Sequence, residues 1–449
     1  MVRTNTGSDW LCGMRSCLAV PMLLAALGGC ATHPADAPAR PVADEEIPLR
    51  LGRVQTLSQD GVNVLLAIPT DDEVERQFGV TLAEHGIQPI WIRLENTSRT
   101  DYWVLPIAID PDYYTADETA LIATKNSDVQ SDRVKETLRR RALPFFLRAK
   151  SVNEGFVYAT HLRGGRFVDV RLTSHGRGLR MRFAVMLPTE GFDYETSELR
   201  QRYAQLDALP DLTVDQVRVR LRELPCCTTR EDGDGKGDPL NIALIGSGED
   251  VIAALTAGGW NFTEAITVES IRRMIGAAIA DEPFATAPVS ALYAFGRKQD
   301  IAMQRARSRI AQRNHMRLWL APFRCEGLPV WVGQVSRDIG VKLSSKSPTL
   351  TTHVIDPNVD ETREYLLHSL LHQEAVRWFG FVRGVGAATR DQPRLNLTDD
   401  PYFTDGMRMA VRVSRAPVPP WMAADLDWND SSDPVLEGRG VDSLVRPLK

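Results

Sequence analysis

Residues 314–371 carry the strongest fold signal in the chain and read NHMRLWLAPFRCEGLPVWVGQVSRDIGVKLSSKSPTLTTHVIDPNVDETREYLLHSLL. Three runs within this segment have the composition of β-strands, and the last part has the apolar spacing of an α-helix. In the first run His315, Arg317 and Trp319 alternate with apolar residues, so a strand would direct the two sets to opposite faces. The segment therefore predicts neighbouring strands followed by a helix.

Polar residues of these runs are candidates for a shared site. If the runs are neighbouring strands, two His, two Arg and one or two Asp converge on one patch. Guanidinium groups bind phosphate oxygens in pairs, and a His side chain can donate or transfer a proton. The candidate residues for an anion site or an acid–base site are Arg297, His315, Arg317, Arg337, Asp338, His353 and Asp356. The competing interpretation is structural: the Arg and Asp side chains pair within the sheet, and the His side chains cap strands.

The N-terminus predicts the compartment. From Met14 the sequence has one basic residue, a short apolar run and then Leu27-Gly28-Gly29-Cys30, an end that resembles a bacterial lipobox. We expect residues 1–30 to be a lipoprotein signal peptide, with Cys30 carrying the acyl chains such as palmitate. The alternatives are an ordinary signal peptide cleaved near Ala31 and a signal anchor. An Ala after the Cys, where Asp would resemble an inner-membrane retention signal, favours the outer membrane, with the body in the periplasm.

The composition after the signal is that of an ordinary globular protein. Residues 31–46 are rich in Ala, Pro and Asp and predict a disordered tether. The whole chain is 25% charged and 43% hydrophobic with a net charge of −5, and this mild balance argues against nucleic-acid binding. No later apolar run approaches membrane-spanning length, so the expected membrane contact is the N-terminal lipid alone.

Three cysteines remain if the N-terminal ones leave with the signal or take lipid. Cys226 and Cys227 are adjacent, and Cys325 is separate. The adjacent pair could form a vicinal disulfide, or one of the two could pair with Cys325. Metal binding is a third option, but no CxxC spacing supports it, and we predict no metal and no cofactor.

The first domain is predicted to span residues 47–224 and to be mostly β. Gln59-Asp60-Gly61 between two apolar runs is a strong hairpin signal. With about eight strands at hairpin spacing, the last of them Thr213 to Leu224, the pattern favours an antiparallel β-sandwich with an immunoglobulin-like architecture. Helices are expected at Asp71 to Gly79 and Ser131 to Arg141. Residues 225–239 are dense in Gly and acidic residues and predict a solvated linker.

The second domain, residues 240–415, is predicted to be α+β, followed by an irregular tail at 416–449. It opens with a strand, the turn Gly246-Ser247-Gly248 and a helix, and the Ser favours helix capping over phosphate binding. Asp300 to Arg307 is expected to be a short helix or turn, and Asp360 to Trp378 a long helix. His368 and His372 have the i, i+4 spacing of metal ligands, but an ordinary helical face is favoured.

The second domain resembles the LssY C-terminal domain family over roughly 238–413. The upstream β-rich region is similar to the one that precedes this domain in lipoprotein members. The resemblance implies an α+β fold and a bacterial envelope setting, and it carries no mechanism. The matching blocks are Asp238-Pro239-Leu240-Asn241, Pro288-Val289-Ser290, Phe295-Gly296-Arg297-Lys298-Gln299-Asp300, Asn314-His315-Met316-Arg317-Leu318-Trp319, Val330-Trp331-Val332-Gly333, Ser336-Arg337-Asp338-Ile339-Gly340 and Thr352-His353-Val354-Ile355-Asp356-Pro357.

Two functional classes follow from these patterns. The favoured one is a lipid-anchored binding module of the cell envelope, whose partner is an envelope protein or a phosphate or lipid headgroup. The alternative is a periplasmic phosphoester-type hydrolase that uses His, Arg and Asp of the same domain. Motifs of nucleophilic enzymes such as GxSxG or SxxK are not present, so the sequence leans away from an enzyme.

Overall fold

The computed structural model describes residues 54–124, 128–187, 191–196, 198–267, 269–270, 272–273, 284–307, 312–343, 351–426 and 428. The predicted signal peptide, Cys30, the predicted tether and the last residues of the tail lie outside these ranges. The described chain is an α+β protein with mostly antiparallel sheets. Within it, no helix combines the length and the apolar character that crossing a membrane requires.

The first part of the chain forms two four-stranded sheets. Sheet one has the order β1-β2-β3-β6, and sheet two has the order β5-β4-β7-β8. The strands are β1 Gln55–Gln59, β2 Val62–Ala67, β3 Ile87–Asn96, β4 Tyr102–Val104, β5 Phe146–Leu147, β6 Ser151–Thr160, β7 Gly165–Ser174 and β8 Arg177–Met186. The β1–β2 hairpin turns at Asp60 and Gly61, both with positive φ, which is the turn that an Asp-Gly pair favours.

The two sheets share one apolar core. Val64 and Ile92 of sheet one are buried against Val170 and Phe183 of sheet two. The other face of sheet one is also covered, because β3 is buried on both faces and Trp91 packs with helical residues. The helices here are α1 Asp71–Phe78, α2 Pro106–Ile109, α3 Ala116–Thr124 and α4 Asp128–Arg141. Helices therefore add a layer to the two sheets, and the immunoglobulin-like architecture stays a prediction.

The second part of the chain is organised around a ten-stranded mixed sheet. Its path is β11-β14-β15-β16-β10-β21-β18-β22, with β17 paired to β16 and β9 to β15. These strands are β9 Asp211–Leu212, β10 Ile242–Ile245, β11 Asn261–Phe262, β14 Ile301–Ala306, β15 Arg313–Cys325, β16 Leu328–Leu343, β17 Thr351–Ile355, β18 Val376–Arg383, β21 Met407–Val413 and β22 Ala424–Asp425. Two small hairpins are β12 Tyr293–Ala294 with β13 Arg297–Lys298, and β19 Arg394–Leu395 with β20 Pro401–Tyr402.

Both faces of this sheet are covered. One face carries Met316 and Leu318 against Leu366 of a long helix, and the other carries Trp319 against Val217 and Leu221. The helices are α5 Leu199–Ala204, α6 Val214–Glu223, α7 Gly248–Ala257 and α8 Val359–His372. Short 3-10 turns occur at Ala83–His85, Asp193–Thr196, Leu206–Ala208 and Pro420–Met422. The strand prediction for the central segment is confirmed, with antiparallel pairing of β15, β16 and β17.

The strand predicted at Thr213 to Leu224 is wrong, because this segment is the helix α6. Thr213 accepts a hydrogen bond from the Gln216 amide, and the Gln216 side chain accepts one from Thr213. This reciprocal capping box starts a helix. Val217 and Leu221 are four residues apart and both lie on the buried face of the helix. The apolar residues of this segment therefore follow the helical period, not the alternation of a strand.

Two further predictions in the second part are corrected. Asp300 to Arg307 contains the strand β14, not a helix, because pairing with β15 buries Ile301 and Met303. The helix predicted to reach Trp378 ends at His372, because Glu374 takes a positive φ of 54° and the chain continues as β18. In both places strand pairing, of β14 with β15 and of β18 with β21, overrode the local pattern.

Part of the predicted linker, residues 225–239, is buried in the folded protein. Residues 231–236 are exposed, whereas Cys227, Thr228 and Asp238 are buried. Phe192, well before residue 225, already packs in the core of the ten-stranded sheet. The core of the ten-stranded sheet therefore includes residues that precede position 225.

Candidate functional site

The strands β15 and β16 bring most of the predicted site residues onto one face of the large sheet. His315 lies opposite Ser336, and Arg317 lies opposite Gln334. Side chains of directly paired residues lie on the same face of an antiparallel pair. The resulting row, which we call the polar ladder, consists of Arg313, His315, Arg317, Gln334, Ser336 and Asp338. None of its members is more than 6% exposed.

The upper half of the polar ladder is centred on His315. Its Nε2 shares a 2.8 Å hydrogen bond with the Ser336 hydroxyl. Its Nδ1 lies 3.1 Å from Asp338 Oδ1, close enough for an ion pair but without good hydrogen-bond alignment. Arg313 Nε donates to the other Asp338 oxygen at 3.0 Å. The order hydroxyl, imidazole, carboxylate is one that can hold and move a proton.

The lower half of the polar ladder is centred on Arg317. Its guanidinium donates to the Gln334 side chain at 3.1 Å and twice to the Ser290 carbonyl, at 3.1 and 2.9 Å. Burial lowers the pKa of Arg317, while the nearby carboxylates of Asp238 and Asp338 favour its charged form. Because three nitrogen atoms of the guanidinium are already bonded to the protein, Arg317 holds β15 to the loop 284–292, which contains Ser290 and which we call the covering loop.

Arg297 is not brought to the polar ladder. It donates to Asp300 at 2.7 Å and to the Leu320 carbonyl at 2.7 Å. The Trp319 indole donates in turn to the Arg297 carbonyl. These contacts fasten the β12–β13 hairpin to β15, which is a structural role.

Arg337 and Asp356 lie apart from the polar ladder, although Arg337 is adjacent in sequence to two of its members. Arg337 pairs with Asn314, so the two side chains share the face that carries Met316. Arg337 Nε donates to Asn314 Oδ1 at 3.2 Å, and its Nη1 is 3.9 Å from Asp356. Its side chain is 20% exposed. The side chain of His353 lies outside the described residues, although its backbone is in β17.

The cysteines pair in one of the ways left open by the sequence. Cys226 and Cys227 form a vicinal disulfide, and Cys325 is a free, buried thiol. Burial raises the pKa of Cys325 to about 11, so this thiol stays protonated and unreactive at neutral pH. Cys30, the predicted lipidation site, lies outside the described residues.

A cavity of about 460 Å³ lies on the Arg337 side of the sheet, away from the polar ladder. Its polar lining comes from Arg305 on β14, from Gln373 just after α8, and from four residues of α8, which are Tyr365, His368, Ser369 and His372. We call it the histidine cavity. The sequence pattern favoured an ordinary helical face for His368 and His372 and gave no signal at Arg305. The one signal that pointed here was the i, i+4 spacing of the two His residues. Among the described residues, no third His, Cys or carboxylate joins them to complete a metal site.

The comparison with known families bears on this same region. The LssY C-terminus family matches residues 219–407, from within α6 to the first residue of β21. No curated protein matches the chain. The matched segment contains the polar ladder and the histidine cavity, and it begins earlier than the predicted boundary at residue 240. Residues 219–407 are thus an LssY C-terminal domain.

Proposed function

We propose that the protein is a lipid-anchored component of the bacterial cell envelope whose LssY C-terminal domain binds an anion, a phosphate or a phospholipid headgroup. Cys30 would carry the lipid and insert in the outer membrane, with the folded body in the periplasm. The lipobox-like sequence that ends at Cys30 and the tether composition of residues 31–46 support this placement. The binding role is favoured over an enzymatic one because the polar ladder is closed to solvent.

The observation that carries the anion proposal is that the Arg337 side chain makes few contacts with the protein. Arg297 and Arg317 are engaged with backbone carbonyls and with buried side chains. Arg337, by contrast, makes one hydrogen bond to a neutral amide and a loose 3.9 Å contact to Asp356, and its two terminal nitrogens make no hydrogen bond within the described part of the chain. A guanidinium with two adjacent donors available matches two oxygens of a phosphate group.

Thermal unfolding of the full chain in the presence of phosphate compounds tests the proposal. A ligand at one hundred times its Kd should add about 2.7 kcal/mol to the free energy of unfolding. Arg337→Gln should remove this increment, whereas Arg99→Gln, at an exposed turn of the first part, should keep it. If no phosphate compound stabilises the wild-type chain, the anion proposal fails and an envelope protein becomes the favoured partner.

The alternative function, a hydrolase, is favoured by one specific observation. Ser336, His315 and Asp338 stand in the order of a nucleophile, its base and the carboxylate that orients the base. Ser336 is fully buried, however, and its hydroxyl also accepts a 2.6 Å hydrogen bond from Gln334, so a substrate could reach it only if the residues that bury it moved.

Turnover of ester and phosphoester substrates tests this alternative. Ser336→Ala should abolish turnover and Ser290→Ala, at an exposed position of the covering loop, should preserve it. Equal activity in both variants, or no turnover by the wild-type chain, would remove the hydrolase from consideration.

A further inference from the structure

The histidine cavity combines several hydrogen-bond donors with one permanent positive charge. Arg305 Nε donates to the Gly258 carbonyl at 3.0 Å, and its guanidinium lies 5.5 Å from the Tyr365 ring centre. These two contacts orient Arg305, while its terminal nitrogens make no hydrogen bond among the described residues. His368 and His372 add ring N–H donors one helical turn apart. No carboxylate of the described residues lines the cavity.

The wall opposite α8 is a glycine turn that a side chain would block. A Cβ at Gly258 would come within 2.8 Å of the Ser369 hydroxyl. Gly259 has a φ of 80°, and a Cβ there would lie 3.3 Å from Arg305 Nε. The turn thus lets the backbone after α7 approach both Ser369 and Arg305 closely, and the space between them stays open.

The end of α8 would ordinarily repel an anion, because unpaired carbonyl groups give a helix C-terminus a partial negative charge. Here three of the last four carbonyls, those of Ser369, Leu370 and Leu371, accept backbone hydrogen bonds. The Gln373 amide donates to the Ser369 carbonyl, and the Ala375 amide donates to that of Leu370. Arg182, reaching over from β8, donates to the carbonyls of Gln373 at 2.6 Å and Glu374 at 3.1 Å. The positive charge of Arg182 and these hydrogen bonds therefore offset part of the negative partial charge at the end of α8.

A basic row connects the histidine cavity with Arg337. Arg305 lies opposite Asn314 on β15, and Asn314 lies opposite Arg337 on β16. The three side chains share one face of the sheet, with neighbouring Cβ atoms about 5 Å apart. Arg337 therefore lies about two strand spacings beyond the cavity, where it adds positive charge without lining it.

We propose that the histidine cavity is the binding site for a phosphate ester, held by Arg305, His368 and His372, with Tyr365 and Ser369 donating to its remaining oxygens. This inference rests on the proposed function for its ligand class, an anion, and it assigns an anion position on the same sheet face as Arg337 but separate from it. A tetrahedral phosphate accepts hydrogen bonds from several directions, which suits donors on a strand and a helix better than a planar carboxylate would. A cavity of about 460 Å³ also has room for the ester group.

Calorimetric titration with inorganic phosphate and with glycerol 3-phosphate tests the site on the full chain carrying Cys30→Ser, which removes the lipid. His368 and His372 are exposed, so the double variant His368→Gln/His372→Gln leaves the core unchanged, as its unfolding midpoint will verify. It should weaken binding about tenfold or more, because two charge-assisted hydrogen bonds are lost or weakened. His175→Gln, at an exposed hairpin turn, is the matched control and should bind as the wild type does.

The Arg337→Gln variant separates this inference from the proposed function. If Arg337→Gln abolishes binding and the double His variant does not, the anion function stands but the cavity is not its site. If the double His variant abolishes binding, the cavity is supported. Absence of binding by the parent chain overturns both.

Vesicles distinguish the two sources of the phosphate ester. Phosphatidylglycerol vesicles that retain the Cys30→Ser chain but not its double His variant would identify a lipid headgroup, with phosphatidylcholine vesicles as the reference. Retention of neither vesicle, with binding of soluble glycerol 3-phosphate intact, would identify a free phosphate ester. Vesicle binding that the double His variant leaves unchanged would contradict a headgroup in the cavity.

Discussion

Asp338 carries a charge at a position where its side chain is 1% exposed, and two basic groups depend on it. Arg313 donates to one carboxylate oxygen at 3.0 Å, and His315 lies 3.1 Å from the other. Asp338→Asn should lower the free energy of unfolding by about 3–5 kcal/mol, because it removes the carboxylate to which the buried Arg313 guanidinium donates. Urea denaturation measures this loss. Asp356→Asn, at a loose and partly exposed pair, should cost less than about 1 kcal/mol, and equal losses in the two variants would refute the distinction.

Asp110 determines part of the response to acid. Burial alone would raise its pKa, but hydrogen bonds from the amides of Asp112 and Thr160 and the charge of Arg166, 2.8 Å away, lower it below the usual 3.8. A carboxyl whose pKa is lower in the folded state stabilises the fold above its unfolded pKa and loses this contribution as pH falls through the folded value. Stability of the wild-type chain should therefore fall below about pH 4. Asp110→Asn should show a shallower dependence in the same window, and identical slopes in urea titrations at pH 3 to 5 would contradict this.

At the scale of elements, we expect the N-terminal cap of α6 to contribute to the stability of the fold. Thr213→Ala removes the hydroxyl that accepts the Gln216 amide and should cost about 1 kcal/mol. Thr213→Ser keeps the hydroxyl and is the matched control, expected to unfold within about 0.5 kcal/mol of the wild type. A similar cost for both substitutions would mean that the methyl group, not the cap, stabilises α6. Chemical denaturation with circular dichroism detection measures both.

On the scale of the whole molecule, two arginines of β8 tie the first part of the chain to the end of α8. Arg180 pairs with Glu374, and buried Arg182 donates to the carbonyls of Gln373 and Glu374. The described residues fall within one compact unit, so calorimetry of the wild-type chain should show one transition for the folded body. Arg182→Gln should separate it into two transitions, while Arg177→Gln, at the exposed end of the same strand, should not. Two transitions in the wild type would refute this coupling.

The grouping of Arg337 with Asp338 shows how a correct strand prediction still misplaces a site. Residues that are adjacent on a strand point to opposite faces. The strand at 330–341 was predicted correctly, and the same periodicity separates Arg337 from Ser336 and Asp338. Strand alternation alone therefore predicts that Arg337 lies on the face opposite to Ser336 and Asp338.

Local pattern alone was enough for the β1–β2 hairpin, the strands β15 to β17 and the family, since turn preferences, alternation and ordered motif blocks are properties of short segments. The tertiary structure decided which side chains meet. Pairing with β15 made 301–306 a strand, and the packing of α8 beside β14 brought Arg305 to His368 and His372. Arg305 and the two histidines are more than sixty positions apart in sequence. These contacts depend on the order of strands in the sheet and on which helix covers which face, and neither is encoded in the period of any one segment.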